Sequence, residues 1–186
     1  MQVRRAVVAS VLLLASCASA PKLSYYTLDM RPSGSARSDA NLAVQRFTVT
    51  ERLDRSQIVI QASPVRVEYY ATARWAAGLG GMVQQKLGGE LGPADAEARV
   101  LTVSGRVTAF EQVDTDSGPQ ALVRLDVVIR DHGGDRSDVP LIEATYEASH
   151  ALDGDGVEAL VRALSRATED VAVQIANDVE AIRESG

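Results

Sequence analysis

Two runs of the chain alternate apolar and polar residues almost without fault. In residues 121–131, Val123, Leu125, Val127 and Ile129 point one way while Arg124, Asp126 and Arg130 point the other. In residues 140–152, Ile142, Ala144, Tyr146 and Ala148 oppose Glu143, Thr145 and Glu147. A period of two belongs to strands with one packed face and one wet face, and such strands pair antiparallel. A third long apolar run, residues 99–113, precedes them, with Gly105 placed where a bulge would fall. The linkers 114–120 and 132–140 are rich in turn formers, so the simplest topology is an antiparallel meander.

After residue 153 the period changes. Val157, Leu160, Val161, Leu164, Val171, Ile175 and Ile182 make one stripe at helical spacing. Asp155 with Glu158 three residues on fits a capping box at its start. Upstream, residues 25–30 and 42–50 read as short strands separated by a Ser/Gly/Pro-rich loop, 31–41. Residues 57–61 and 65–70 read as a hairpin about the turn at 62–64, with Val65, Val67 and Tyr69 on one face. A second helical stripe, Trp75, Leu79, Met82, Val83, Leu87 and Leu91, predicts a helix over 73–91. Glycines 78, 80, 81, 88 and 89 fall inside it, each costing up to about 1 kcal/mol relative to Ala. Such a helix packs very closely against its sheet, or is bent or frayed.

Strands, helix, three strands, helix: this order predicts an α+β two-layer sandwich, a largely antiparallel sheet with two helices packed on one face. Aromatics make up only 4% of the chain, so Val, Leu, Ile and Ala must build the core.

The N-terminus tells where such a domain works. Arg4 and Arg5 precede an almost wholly apolar run, residues 6–15, too short to span a bilayer as a resident helix. Leu14-Ala15-Ser16-Cys17 then resembles a bacterial lipobox, which makes residues 1–16 a lipoprotein signal peptide and Cys17 the acylated first residue of the mature chain. Several acyl chains hold a protein on a membrane where one would be marginal. Cys17 is the only cysteine, so neither an internal disulfide nor a Cys-rich zinc site is available. The resemblance to proteobacterial lipoproteins, in which an Asp after the cysteine favours inner-membrane retention, implies with Ala18 there a place on the periplasmic face of the outer membrane. Residues 17–24 read as a lipidated tether and 25–186 as one domain.

Removing the leader takes away Arg4 and Arg5 and no acid, which leaves 17 basic against 25 acidic residues. An acidic domain without a Lys/Arg run does not attract a phosphate backbone, so nucleic acid is not an expected partner. No catalytic pattern stands out, and no cofactor or metal is expected. His132 and His150 are isolated. Residues 153–158, "DGDGVE", fail the EF-hand pattern because Val157 occupies an oxygen-ligand position. Glycines 78–81 lack the phosphate-loop ending.

Residues 53–91 resemble the ABC-type transport auxiliary lipoprotein family, which includes the paraquat-inducible protein C lipoproteins. The family order is a lipobox, a "YYTL"-like strand, an "LDRxxIV" hairpin, a strand ending in "RW" and a helix with spaced leucines. Here these are Cys17; Tyr26, Thr27 and Leu28; Leu53, Asp54, Arg55, Ile58 and Val59; Arg74 and Trp75; Leu87 and Leu91. Ser56 stands where a proline is common, and Ala77-Gly78 where an acid-proline pair is common.

The resemblance implies a non-enzymatic lipoprotein beside an ABC permease and ATPase and an MCE-type substrate-binding protein, in a system moving lipids or other hydrophobic molecules across the envelope. A lipid-anchored periplasmic enzyme or a structural assembly lipoprotein is the alternative. Edge strands and the glycine-rich helix suit a homo-oligomer, a ring or collar receiving a conduit. Trp75, at the strand-to-helix junction, reads as a core anchor, with partner contact as the other role. Arg55 and Arg74 pair with acids across the hairpin or face a partner; the sequence leaves both open.

Overall fold

The computed structural model describes residues 21–36, 40–92, 100–131 and 139–185. The elements run β1 (Ser24–Tyr26), β2 (Leu42–Val44), β3 (Thr48–Val49), a 3-10 turn (Glu51–Leu53), β4 (Gln57–Ser63), β5 (Arg66–Trp75), α1 (Leu79–Leu91), β6 (Leu101–Thr115), β7 (Gly118–Asp131), β8 (Ile142–Ala151) and α2 (Gly156–Ser185). They form an α+β fold: a mixed sheet in the order β1-β5-β4-β6-β7-β8, with β2 and β3 also paired to β6. Both helices close one face.

The meander is real for β6, β7 and β8, which pair antiparallel over nearly their whole length. It does not extend to the rest. β1 runs parallel to β5, and β2, β3 and β4 each run parallel to β6. The reason is the connection. β6 follows β5 through α1 but settles beside β4 rather than β5. Since β4 is antiparallel to β5 and β6 runs opposite to β5, β4 and β6 become parallel neighbours, while β1 meets β5 before α1 is reached. Side-chain alternation reports which face is wet, not which neighbour a strand takes.

Several element boundaries differ from the expectation. The first strand is confined to Ser24–Tyr26 and does not reach Met30; the chain then leaves the sheet toward the helices. The strand expected over 42–50 is two short ones interrupted at Phe47. The helix expected from 73 begins at Leu79, because Ala73 and Trp75 belong to the end of β5. Two apolar residues spaced by two, followed by a helical stripe, look like one continuous stripe. Their strand identity is fixed by pairing: Ala73 and Trp75 lie opposite Ser24 and Tyr26, and the Trp75 N–H donates to the Ser56 carbonyl at 2.7 Å.

Gly105 is not the bulge. The register of β6 on β7 slips between Val107 and Ala109, leaving Thr108 as the extra residue. Gly105 instead allows a close approach. A Cβ there would sit 2.0 Å from the Asp126 carbonyl oxygen and 2.9 Å from the Phe47 ring. On the helix, a Cβ at Gly80 would sit 2.0 Å from the Phe47 carbonyl oxygen. Phe47, 2% exposed, is therefore wedged between a glycine of α1 and a glycine of β6. Of the alternatives that the glycine-rich helix left open, close packing holds at Gly80, whereas a Cβ at Gly81, Gly88 or Gly89 would meet nothing closer than 3.8 Å.

The core lies between the sheet and the helices. It joins Val123, Leu125, Val127 and Ile129 of β7 to Leu160, Leu164, Val171 and Ile175 of α2 and Met82, Val83 and Leu87 of α1. Each such side chain contributes roughly 1.5–3 kcal/mol by leaving water. Trp75 meets Phe110 edge-on, with ring centroids 5.7 Å apart.

Candidate functional site

Cys17 lies outside the described residues, as do His132 and most of the acidic loop that follows it. The other three candidates are in place, and the sheet divides them. Trp75 is 4% exposed on the helix face, packed on Phe110, in the core-anchor position. Arg74, the next residue back, points to the opposite face.

Arg74 neither pairs with an acid nor reaches outward. Between Gln57↔Arg74 and Val59↔Tyr69, β5 carries three more residues than β4. That wide bulge frees carbonyls. The Arg74 guanidinium collects them, donating to the carbonyls of Tyr70 at 2.9 Å, Ala73 at 2.8 Å and Ala71 at 3.0 Å. Five fixed donors on a planar head make Arg suited to this task. Arg55, just before β4, lies over the Tyr69 ring, 4.6 Å from its centroid. Residues 57 and 59 share a face, so their partners Arg74 and Tyr69 do too. Tyr25, opposite Arg74, joins them.

Arg52 was not singled out by the sequence, yet it holds the 3-10 turn to the sheet. β3 leaves the edge of β6 at Val107 and β4 joins it at Glu111. The bulged Thr108 occupies the gap, and Arg52 fills it. Its guanidinium donates to Glu111 Oε1 at 2.7 Å, to Gln61 Oε1 at 2.7 Å and to the Thr108 carbonyl at 3.4 Å. Glu111 is 2% exposed, and its Oε2 has no hydrogen-bond partner. Burial pushes the Glu111 carboxyl above its ordinary range despite the Arg52 charge.

A second buried charged group joins α1, α2 and the segment after β1. Lys86 Nζ donates to Glu90 Oε1 at 2.7 Å, Glu169 Oε1 at 2.6 Å and the Arg31 carbonyl at 3.0 Å. Glu90 also accepts from the Ser33 N–H and from the Ser33 hydroxyl at 2.6 Å. Ser165 of α2 accepts from the Asp29 N–H at 3.0 Å. Residues 29–33 are thus a strap stitched to both helices. Burial opposes the Lys86 charge, but the hydrogen bonds to Glu169 and Glu90 outweigh it and raise its pKa. Burial likewise opposes the Glu90 charge, and the bonds from Lys86 and Ser33 win, lowering its pKa. The sequence held a signal for this: Lys86 and Glu90 share the helix face of Val83 and Leu87, where a charge needs a partner.

The remaining polar groups tie elements together. Tyr146 donates to Asp178 at 2.8 Å, and His150 meets Asp170 at 2.7 Å. "DGDGVE" straddles the start of α2, with Glu158 in the first turn. Among the described residues, no group of three or more His, Cys, Asp or Glu is placed to hold a metal ion. No described helix is long and apolar enough to cross a membrane. An open groove of about 410 Å³ lies between β2 and α1, floored by Gly88 and Gly92 and walled by Leu42, Val44, Gln84 and Gln85. The Gln84 amide bridges it to the Val44 carbonyl at 3.1 Å.

Fold and side chains together define an α+β sandwich whose buried charges fasten its own segments to one another. The chain belongs to the ABC-type transport auxiliary lipoprotein component family, whose model matches residues 26–176. No curated protein matches the sequence. Among solved structures it is similar to protein XCC0632 from Xanthomonas campestris, at 15% identity and TM-score 0.68, covering 88% of this chain and 98% of that one. A protein described only as uncharacterised is similar at 19% identity and TM-score 0.66, covering 86% and 99%. At these identities the likeness is one of fold.

Proposed function

We propose that this chain is a non-enzymatic outer-membrane lipoprotein, anchored through Cys17, that serves an ABC transport system with an MCE-type substrate-binding component. The family match over residues 26–176 carries the reading, and the lipobox-like Leu14–Cys17 stretch just before it supplies the anchor. The cargo class is a lipid or another hydrophobic molecule, and the chain's part is to tether and dock. On α1, a Cβ at Gly88 would meet nothing within 4 Å, and this open spot suits close packing against a second copy or the partner.

The test is cross-linking in native membranes followed by capture of the lipidated chain. An MCE protein and its permease should be recovered; consistent recovery of a hydrolase or of pilus components instead would overturn the reading. Cys17→Ser should leave an uncleaved, unlipidated precursor by intact mass. A native protein with its leader intact and a free Cys17 thiol would remove the localisation.

A further inference from the structure

We infer that the margin of the sheet formed by β1, β5 and the β4–β5 turn rests on the membrane surface, in contact with lipid headgroups and the upper acyl chains. The inference rests on the lipid anchor at Cys17, and three observations carry it.

The first is topological. β1 is parallel to β5, with Ser24 opposite Ala73. The chain leading into β1 therefore arrives from the end of the sheet that holds the β4–β5 turn, between Ser63 and Arg66. Pro21 is the first described residue, four positions after Cys17. Four residues reach at most about 14 Å. Wherever those residues run, the acyl chains enter the bilayer close to this margin.

The second is exposure. Seven large apolar or aromatic side chains are well exposed among the described residues, and four of them lie here: Val65 at 95%, Tyr25 at 65%, Leu23 at 44% and Val67 at 39%. Val65 is at the tip of the turn. Tyr25 and Val67 share the face opposite the helices, because their partners Arg74 and Gln61 share it. Val65 and Val67 lie at the turn end of the β4–β5 hairpin and Leu23 and Tyr25 at its other end, so exposed apolar side chains mark both ends of this margin. Apolar side chains together with a tyrosine suit the membrane–water interface, where amphipathic rings settle at the headgroups.

The third is charge. Across residues 21–26 and 54–75, Lys22, Arg55, Arg66 and Arg74 outnumber Asp54 and Glu68, in a chain with 19 basic against 25 acidic residues. Arg66 pairs with Glu68 and Arg74 is turned onto backbone carbonyls, which leaves Lys22 and Arg55 against Asp54 at the surface. Positive charge thus prevails in the region nearest the anchor, against the acidic balance of the whole chain. Anionic headgroups attract such a surface and repel the rest of the domain.

The lone cysteine makes the test clean. Acylation blocks Cys17, so a single introduced thiol can carry an environment-sensitive fluorophore. Lipidated full-length Val65→Cys and, as control, Glu147→Cys on β8 would be labelled and placed in vesicles of phosphatidylethanolamine and phosphatidylglycerol. Position 65 should show blue-shifted emission that is lost when doxyl-chain lipids are added; position 147 should show neither. An unshifted label at 65 would overturn the inference while leaving the anchor intact. A shifted label that doxyl lipids do not quench would mean that protein, a second copy, covers the margin, and would overturn it too. Uptake of label by the parent chain would show a free Cys17 thiol, and the anchor reading would fall first.

Discussion

Glu90 and Glu111 are both buried, both paired with a cation, and titrate in opposite directions. Glu90 accepts from Lys86 and from the backbone and hydroxyl of Ser33, so both its oxygens are used and its pKa falls. Glu111 accepts from Arg52 alone; its Oε2 is an orphan and its pKa rises. Both pin an irregular segment to regular structure: the strap at residues 29–33 in one case, the 3-10 turn in the other. The difference teaches that an ion pair alone does not compensate for desolvating a carboxylate; filling its remaining lone pairs does.

Variants can break this contrast. Lys86→Met strips the shared cation from Glu90 and Glu169 at a site closed to water, and should cost about 3–5 kcal/mol in chemical denaturation. Arg52→Met should cost less, about 1–3 kcal/mol, because burial already shifts the Glu111 carboxyl toward its neutral form, and losing Arg52 shifts it further that way. If the two losses are equal, the contrast is wrong.

The pH dependence sharpens it. Glu90, with a folded pKa below its ordinary 4.5, gives stability that is present above that value and lost as pH falls through the folded one. Glu111, raised above 4.5, costs stability at neutral pH, and the cost is relieved as pH falls toward 4.5. Melting curves against pH should therefore lose their steepest acid decline in Glu90→Gln and keep it in Glu111→Gln. At neutral pH, Glu111→Gln should shift stability by no more than about 1 kcal/mol, in either direction, since it exchanges a strained charge for a neutral amide.

The fold was legible where one rule governed. β7 and β8 had a single packed face, and α2 a single stripe, so alternation and periodicity placed them nearly to the residue. Ala73 and Trp75 obeyed two rules at once, and the helix was extended through them by six residues too many, from Leu79 back to Ala73. Parallel pairing left no trace, because it depends on which distant strand each segment lies beside, which no side-chain pattern records.

At the site, Trp75 read correctly as a core residue, since size and apolarity suffice for that. Arg74 could not be read, because its partners are carbonyls exposed by a bulge that no side-chain pattern records. Arg52 was missed for the same reason: Thr108 creates the gap it fills. Lys86 and Glu90 were readable in principle, as charges sitting on an apolar face.

The strap has a mechanical meaning as well. A pull on the N-terminus, directed along β1, loads the three-residue β1–β5 pairing in shear, with its hydrogen bonds sharing the force. Beyond β1 the tension would not pass into a loose loop. It would enter the strap, then Lys86 and Ser165, and so reach both helices at once. A domain swinging on a short leash would thus transmit strain from its fastening into its most cohesive layer, with the weakest link nearest the membrane.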